Sequence, residues 1–272
     1  MKTENGWARF ESAGQAIPAF FARPPGARGP LPAVVVVQEV WGVEEHIEDL
    51  VGRFAAAGYE AFAPDLWAAG GERPEVLTRA RVSALRSFLV ANPAAWSDAD
   101  ARARALALEP EPERTRLDAT MARLFGSDEG RAARFVRYTE ILQDGVRHLR
   151  SPAERPIAAV GFCMGGGLAG LLACADPALR AAVAFYGPPP PVEKVAGIGC
   201  PILGHYAQND PRITPAVPAF AEAMRASGKR FPHHVYPGAP HAFFNDTSQA
   251  YRPDAARAAW ARTLSFLFET MG

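Results

Sequence analysis

The sequence has few cysteines, no excess charge of either sign and no long apolar run, and each absence excludes a class of protein. Its three cysteines in 272 residues have no CxxC spacing, which argues against a disulfide framework and a zinc knuckle. Lys plus Arg and Asp plus Glu number 29 each, so charge favours neither nucleic acid nor a membrane surface as partner. No segment has the length of a signal-peptide core or a membrane span. We therefore expect a cytoplasmic protein that binds a small molecule.

What the sequence does contain is an alternation of apolar strands and helices. With 272 residues and 49% hydrophobic content, residues 1–272 can form one large domain, and no second domain is required. Residues 33–37 are a mostly β-branched apolar run, typical of a strand buried on both faces of a parallel sheet. Further strands are predicted at residues 7–12, 16–22, 59–63, 157–160, 181–185, 201–206 and 233–236, and helices at 44–57, 134–149, 215–226 and 254–269.

This order predicts an α/β fold with a doubly wound, mostly parallel sheet. The first two strands are short and close together, which indicates an N-terminal hairpin at the sheet edge. Sheets of this kind place their functional residues at the carboxyl ends of the strands. The loops that follow the strands are therefore where we expect the chemistry.

Residues 68–150 interrupt the alternation with Ala-, Arg- and Glu-rich helical sequence. Residues 134–149 fit the crossover helix that precedes the next strand. That leaves residues 68–133 as a helical insertion, which is too long for a simple connection. Two interpretations stay open: a cap over the functional site, and a peripheral insertion without contact to it.

A Gly-Phe-Cys-Met-Gly segment at residues 161–165 lies between an apolar strand and an apolar helix. The pattern of glycine, any residue, nucleophile, any residue, glycine is typical of a sharp strand-to-helix turn that exposes the central side chain. A thiol at a helix N-terminus is near unpaired N–H groups, which favour the thiolate. Cys163 is therefore the candidate nucleophile. The alternative is a packing turn with Cys163 as a small buried apolar residue.

A cysteine nucleophile needs a histidine to take its proton and a carboxylate to orient that histidine. In α/β hydrolases the acid and then the histidine follow the nucleophile along the chain. Asp210 follows the predicted strand at 201–206, and His241 follows the strand at 233–236. On its own Asp210 is equally a turn or capping residue. The order of all three residues favours a Cys163, His241, Asp210 triad.

The remaining histidines fit structural roles better. His205 lies inside a predicted strand and is expected to pack beneath the site. His233 and His234 are adjacent, so they point to opposite faces of a strand and make a poor metal pair. His46 and His148 lie on amphipathic helices, where we expect them to be solvated or paired locally.

Taken together, these motifs resemble the dienelactone hydrolase (carboxymethylenebutenolidase) family of α/β hydrolases. The resemblance covers nearly the whole chain outside the insertion and implies the α/β-hydrolase fold. The matching pieces are residues 37–43, 58–59, 63–67, 161–166 and 185–187, Asp210, and residues 237–243.

The resemblance implies a role for each site residue. Cys163 would attack an ester carbonyl, and His241, oriented by Asp210, would act first as base and then as acid. The backbone N–H groups of Val40 and Met164 would form the oxyanion hole.

The resemblance also assigns residues around this triad. Glu39 would hold or deprotonate the thiol, although a carboxylate here is alternatively a helix cap or a surface group. No metal and no organic cofactor is implied. The substrate pocket is predicted to be lined by four aromatic residues: Trp41, Trp67, Tyr186 and Phe243.

Two positions depart from the resemblance. Members that cleave dienelactone have arginines that hold the substrate carboxylate, and here those positions are Ala69 and Asn245. Losing a bidentate arginine weakens binding of an anionic substrate, unless Arg73 or Arg252 reaches in from a neighbouring loop. The resemblance therefore supports the hydrolytic residues more strongly than it supports dienelactone as the substrate.

The leading hypothesis is a hydrolase that cleaves carboxylic esters or lactones through a thioester acyl-enzyme, as a monomer or homodimer. One alternative is a thiol-redox protein that uses Cys163, although no second cysteine lies at a resolving spacing. The other is a non-catalytic protein with the same fold that binds a small molecule without turning it over.

Overall fold

The structure is a computed structural model that describes residues 4–126, 128–151 and 153–272. Residues 1–3, 127 and 152 lie outside the described residues. All of them belong to the predicted domain at residues 1–272, and residue 127 also belongs to the predicted insertion at residues 68–133. The strands are β1 (Glu4–Ser12), β2 (Gln15–Arg23), β3 (Ala33–Val37), β4 (Glu60–Pro64), β5 (Ile157–Phe162), β6 (Ala181–Phe185), β7 (Ile202–Asn209) and β8 (His233–Pro240). The helices are α1 (Glu45–Ala56), α2 (Arg79–Ala91), α3 (Ala99–Ala107), α4 (Glu113–Phe125), α5 (Asp128–Arg150), α6 (Met164–Ala175), α7 (Val217–Ala226) and α8 (Pro253–Met271).

The eight strands form one sheet in the order β1-β2-β4-β3-β5-β6-β7-β8. β1 and β2 pair as an antiparallel hairpin at the edge, and β2 also pairs antiparallel with β4. All remaining pairs are parallel. This arrangement confirms the predicted α/β fold with its edge hairpin and mostly parallel sheet.

The central strands are buried on both faces because helices cover both sides of the sheet. Every residue of β3, β5 and β6 is buried. Alternate side chains of β3 enter different clusters: Val35 faces a cluster with α5 and α6, whereas Val34 faces one with α1 and α8. The continuous apolar runs of the sequence thus serve two cores, one on each face.

The insertion belongs to the first of these clusters. Leu85 of α2 and Leu117 and Met121 of α4 are buried there together with Val35 of the sheet. The helices of the insertion therefore pack on the same face as α5 and α6. The crossover helix α5 starts at Asp128, which is earlier than the predicted start at residue 134.

One further difference concerns the end of a strand. β8 continues to Pro240, so the Pro- and Gly-containing segment that we predicted as loop is still strand, and His241 follows it directly. Within residues 4–126, 128–151 and 153–272, no helix combines the length and the hydropathy that a membrane span requires.

Candidate active site

The register of the sheet brings four loops together at its carboxyl edge. Val37 pairs with Gly161, so the loop after β3 lies beside the loop after β5. On the other side, β5 ends next to β6, and the Cys163 N–H donates to the Phe185 carbonyl at 2.9 Å. The ends of β7 and β8 are also paired. The residues that follow these strands are therefore neighbours in space although they are far apart in sequence.

Cys163 occupies a strained turn that its neighbours make possible. Its φ of 54° and ψ of −117° place a non-glycine residue in a region that L-amino acids rarely adopt. A Cβ on Gly161 would lie 1.9 Å from the Gly165 carbonyl oxygen, and a Cβ on Gly165 would lie 2.2 Å from the Val37 carbonyl oxygen. Only glycine fits at these two positions, and the turn projects the Cys163 side chain from the start of α6.

Cys163, His241 and Asp210 form a hydrogen-bonded line. The Nε2 of His241 lies 3.2 Å from the Cys163 Sγ, and its Nδ1 lies 2.5 Å from the Asp210 Oδ2. The Asp210 side chain is buried, whereas the His241 side chain is 27% exposed. The line thus runs from a buried carboxylate through a half-buried ring to a partly exposed thiol.

The surroundings of His241 favour its protonated form. Burial disfavours a charged ring, but hydrogen bonds to Asp210 and Cys163 and the charges of both partners outweigh burial and raise the pKa of His241 to about 10. Burial opposes ionisation of Asp210 as well, but the contact with His241 holds the pKa of that carboxyl below its usual value. At neutral pH this geometry favours an imidazolium between a carboxylate and the sulfur.

Met164 directly follows Cys163, and Val40 lies in the segment after β3, which pairs with β5 up to Val37 and Gly161. Met164 is the first residue of α6, and the N–H groups of a first helical turn have no acceptor within the helix. Val40 lies in a turn in which the Gly42 N–H donates to the Glu39 carbonyl at 3.1 Å. The structure therefore places both predicted oxyanion residues in the two loops that the β3–β5 pairing joins.

Glu39 is buried close to the triad residues, but its hydrogen bonds go elsewhere. The Tyr186 hydroxyl donates to its Oε1 at 3.1 Å, and the Asn245 Nδ2 donates to its Oε2 at 2.9 Å. Among the described residues, no hydrogen bond joins Glu39 to Cys163. The Glu39 carboxylate is thus neither a surface group nor a direct partner of the thiol in this conformation.

Tyr186 links Glu39 to the histidine. Its ring packs edge to face on the His241 ring with 5.1 Å between centroids. Complete burial and the charge of Glu39 raise the pKa of the Tyr186 hydroxyl well above its usual value, so this hydroxyl stays protonated and donates. Glu39 is therefore connected to His241 indirectly, by its hydrogen bond with Tyr186 and by the packing of the Tyr186 ring on His241.

Arg73 and Arg252, the two arginines considered as replacements at the positions of Ala69 and Asn245, are engaged by other groups of the protein. Asn245 is buried, and its amide is engaged by Glu39 and, through its oxygen, by the Thr247 backbone and hydroxyl. Arg73 donates to Asp65 at 2.6 Å and to Glu44 at 3.0 Å. The Arg252 guanidinium donates to the carbonyls of residues 249 and 251. Neither arginine reaches into the site.

The four aromatic residues predicted to line the substrate pocket differ in burial. Trp41 is partly exposed beside Val40, whereas Trp67, Tyr186 and Phe243 are 4% exposed or less. Phe243 packs against Tyr186 and Tyr236 below the histidine. All three side chains are thus buried, and Tyr186 and Phe243 lie in the aromatic packing next to His241.

The structure gives His205 and His46 structural surroundings, whereas sequence reasoning missed two neighbours of the site. His205 is fully buried between Tyr236 and Thr263, as expected. His46, which was expected to be solvated or paired locally, is buried, and its Nδ1 lies 3.5 Å from the Asp246 Oδ1. The role of Asn245 as a partner of Glu39 was missed, as was Trp96, an insertion residue whose ring contacts Trp41.

The mostly parallel sheet, the strained turn before α6 and the acid and histidine after β7 and β8 are those of an α/β hydrolase. The dienelactone hydrolase family model matches residues 17–271. The chain belongs to this family, as the sequence motifs predicted, and it is a hydrolase of the ester or lactone type that acts on small molecules.

Curated relatives and solved structures agree with this assignment. The chain is 32% identical over 263 residues to a "Putative carboxymethylenebutenolidase" of Saccharolobus solfataricus, covering 95% of this chain and 96% of that protein. It is 33% identical to a protein of the same name in Escherichia coli, covering 96% and 85%. The crystal structure of a "Putative Dienelactone Hydrolase" from Klebsiella pneumoniae has a TM-score of 0.72 and 28% identity, with 97% and 98% of the two chains covered.

Proposed function

We propose that this chain, as one domain over residues 1–272, cleaves uncharged carboxylic esters or lactones through a covalent intermediate on Cys163. The observation that carries the proposal is the line of hydrogen bonds from Asp210 through His241 to Cys163, at 2.5 and 3.2 Å. A nucleophile, a base within reach and a group that orients the base are the parts that acyl transfer requires.

In the first half of the reaction, Cys163 forms a thioester. Its sulfur, having given its proton to the His241 Nε2, attacks the carbonyl carbon, and the carbonyl oxygen becomes an oxyanion. The N–H groups of Val40 and Met164 donate to this oxyanion. The tetrahedral intermediate then collapses, the bond to the leaving oxygen breaks, and His241 gives that oxygen its proton. In a lactone the leaving alcohol remains attached to the acyl group.

In the second half, water releases the acid. Now neutral, His241 takes a proton from the water through Nε2 while the water oxygen attacks the thioester carbon. Collapse of the second tetrahedral intermediate breaks the bond between carbon and sulfur. The proton on His241 then pairs with the departing thiolate, and the site returns to its starting state.

Glu39 acts in this scheme as a positioning residue. Its carboxylate accepts from Tyr186, and the ring of Tyr186 packs against His241. The two oxygens of Glu39 accept from Tyr186 and Asn245 and have no hydrogen bond with the thiol among the described residues. The supported role is therefore to hold the ring that flanks the histidine.

The preference for uncharged substrates follows from the positions that lack arginine. Asn245 is neutral and already bound to Glu39, and Ala69 offers no charge. Arg73 is neutralised by Asp65 and Glu44. At these two positions a substrate carboxylate would have to leave water without an arginine to pair with, which is costly.

The decisive experiment compares Cys163→Ala with Cys174→Ala. Cys174 is also a free, partly buried thiol, but it lies near the C-terminal end of α6. We expect Cys163→Ala to lose about a thousand-fold or more in kcat on p-nitrophenyl acetate, and Cys174→Ala to retain wild-type activity. Mass spectrometry of rapidly quenched wild type should find acetyl on the peptide that carries Cys163. Full activity in Cys163→Ala would refute the proposal.

The substrate class is tested with a panel that contains dienelactone, neutral lactones and neutral aryl esters. We expect a higher kcat/KM for the neutral compounds. A second variant, Asn245→Arg, should move the preference toward dienelactone if charge is what the position lacks. A clear wild-type preference for dienelactone would contradict the proposed substrate class while leaving the role of Cys163 intact.

A further inference from the structure

Three aromatic side chains from distant parts of the sequence meet beside the loop that carries Val40. Trp41 comes from that loop, Trp96 ends a short 3-10 turn of the insertion (Pro93–Trp96), and Phe125 ends α4. Ring centroids are 5.6 Å apart for Trp41 and Trp96, 6.4 Å for Trp41 and Phe125, and 5.4 Å for Trp96 and Phe125. All three pairs are edge to face, with interplanar angles of 70–78°. We call these three residues the aromatic cluster.

The aromatic cluster is partly open to solvent. Trp96 is 44% exposed, and Trp41 and Phe125 are partly exposed. The residues just before the two insertion aromatics, Ala95 and Leu124, are buried in the core. The backbone on which Trp96 and Phe125 lie is therefore anchored in the core, while their own rings remain partly exposed. Contiguous exposed aromatic surface of this kind marks a binding site.

The position of the aromatic cluster relates this surface to the reacting atoms. Trp41 directly follows Val40, and both pack against the same buried cluster as Met164, the residue after Cys163. The insertion also reaches the loop after His241, because the Arg86 guanidinium donates to the carbonyl and hydroxyl of Thr247 at 3.0 Å. The insertion therefore contacts the loops on two sides of the triad instead of lying apart from them.

Among the described residues, no cation–π contact is found on the rings of the aromatic cluster. In the described part of the chain, cation–π contacts fall on Trp7, Phe266 and Tyr236. Because the three side chains are aromatic and Trp41 adjoins Val40, a residue of the proposed oxyanion hole, an apolar group attached to the reacting ester fits this surface best.

We infer that Trp96 and Phe125, together with Trp41, bind the apolar group of the substrate and make the enzyme selective for esters or lactones that carry an aryl group. This inference rests on the proposed function and specifies its substrate. It also gives the helical insertion a role, because its described residues would form one wall of the site and help to select the substrate.

The test uses three esters that separate the two possible places of the aryl group. Ethyl acetate has none, ethyl phenylacetate carries it on the acyl side, and phenethyl acetate carries it on the alcohol side. Acid release in a pH-stat gives kcat and KM for each ester without a chromophore. We expect wild type to prefer at least one phenyl ester over ethyl acetate, and the arm that is preferred identifies the side that faces the aromatic cluster.

The variants are Trp96→Ala and the conservative Trp96→Phe, with Trp7→Ala as matched control. Trp7 is 45% exposed, nearly the same as Trp96, but lies on the edge strand β1 against Phe20. We expect Trp96→Ala to reduce the preference for the phenyl ester about tenfold, mainly through KM, because a lost apolar contact of this size changes selectivity by that order. Trp96→Phe should restore most of the preference, and Trp7→Ala should leave it at the wild-type value.

An unchanged preference in Trp96→Ala, or an equal loss in Trp7→Ala, would overturn the inference. Failure of the proposed function looks different. In that case Cys163→Ala hydrolyses ethyl acetate at the wild-type rate, whatever Trp96→Ala does. If Cys163→Ala is inactive and Trp96→Ala keeps the wild-type preference, only the present inference is wrong.

Discussion

The carboxyl edge of the sheet and the helical insertion contribute to one site in different ways. At the sheet edge, backbone pairing fixes the positions: Val37 is held against Gly161, and Asn209 against Pro240. In the insertion, side-chain packing does so, through buried residues such as Leu117 and Met121. The sheet edge has almost no freedom to change, whereas the insertion can change a surface residue and keep its core.

This difference indicates that the sheet edge provides the reacting groups and that the insertion determines substrate selectivity. Residues that handle the proton and the sulfur lie where the backbone is fixed most firmly, because the proposed reaction needs groups held to within a fraction of an ångström. Residues that we expect to contact the rest of the substrate lie on helices whose exposed positions tolerate substitution. The predictions below test that separation, from the largest expected effect to the smallest.

Gly165→Ala should have the largest effect on folding. The added Cβ would lie 2.2 Å from the Val37 carbonyl oxygen and 2.5 Å from that of Gln38, and both are backbone atoms that the sheet holds in place. We expect a loss of about 4 kcal/mol or more in the free energy of unfolding, measured by urea denaturation followed by circular dichroism.

The matched control is Gly52→Ala in the middle of α1. A Cβ there meets nothing within 4 Å, so alanine should be neutral or stabilise the helix by up to about 1 kcal/mol. If Gly165→Ala unfolds at the same urea concentration as wild type, the sheet edge is less constrained than the comparison states.

Asp210→Asn should have the largest effect on turnover without unfolding the protein. Its charge and hydrogen bond help to raise the pKa of His241 to about 10, so removing the charge moves that pKa down toward the ordinary value. We expect kcat to fall about 10²–10⁴-fold. Wild-type activity should persist until pH rises through about 10 and His241 loses its proton.

In Asp210→Asn this alkaline loss should begin at lower pH. A pH-stat profile of kcat/KM measures the shift, and a proton NMR titration of the His241 ring measures it independently of activity. An alkaline limb at the same pH in both proteins would show that Asp210 does not set the protonation of the histidine.

Glu39→Gln should have an intermediate effect, mainly on stability. The amide has one oxygen, so its NH₂ group would face one of two donors, the Tyr186 hydroxyl or the Asn245 Nδ2. We expect a loss of about 1–3 kcal/mol, whereas Glu11→Gln on the exposed side of β1 should change little. Unfolding curves for both variants provide the comparison, and equal stabilities would mean that the buried carboxylate is not required.

Arg86→Ala should have the smallest effect. Its hydrogen bonds to Thr247 connect the insertion with the loop of Asn245, but these hydrogen bonds are exposed to solvent. We expect the free energy of unfolding to fall by less than about 0.5 kcal/mol. The value of kcat/KM should change about twofold at most. A tenfold loss of kcat/KM on ethyl acetate would show that the insertion also positions the reacting groups. The proposed division of roles between the sheet edge and the insertion would then be wrong.

Local patterns in the sequence predicted most of the framework. The apolar run at residues 33–37 and the glycines around Cys163 are features of neighbouring residues, so they indicate a strand and a turn without knowledge of the fold. The end of β8 was predicted too early, because Pro237 and Gly238 are typical of loops but here continue an edge strand, where proline is tolerated.

The sequence by itself determined the alternation of strands and helices, the family, and the order in which the candidate nucleophile, acid and histidine follow one another. Only the tertiary structure decided which groups touch. Glu39 and Asn245 are 206 positions apart, and Trp41 meets Trp96 only because the insertion folds back onto the sheet. The physical reason is range: a strand or a turn depends on residues a few positions away, whereas burial and partners of a side chain depend on how distant elements pack.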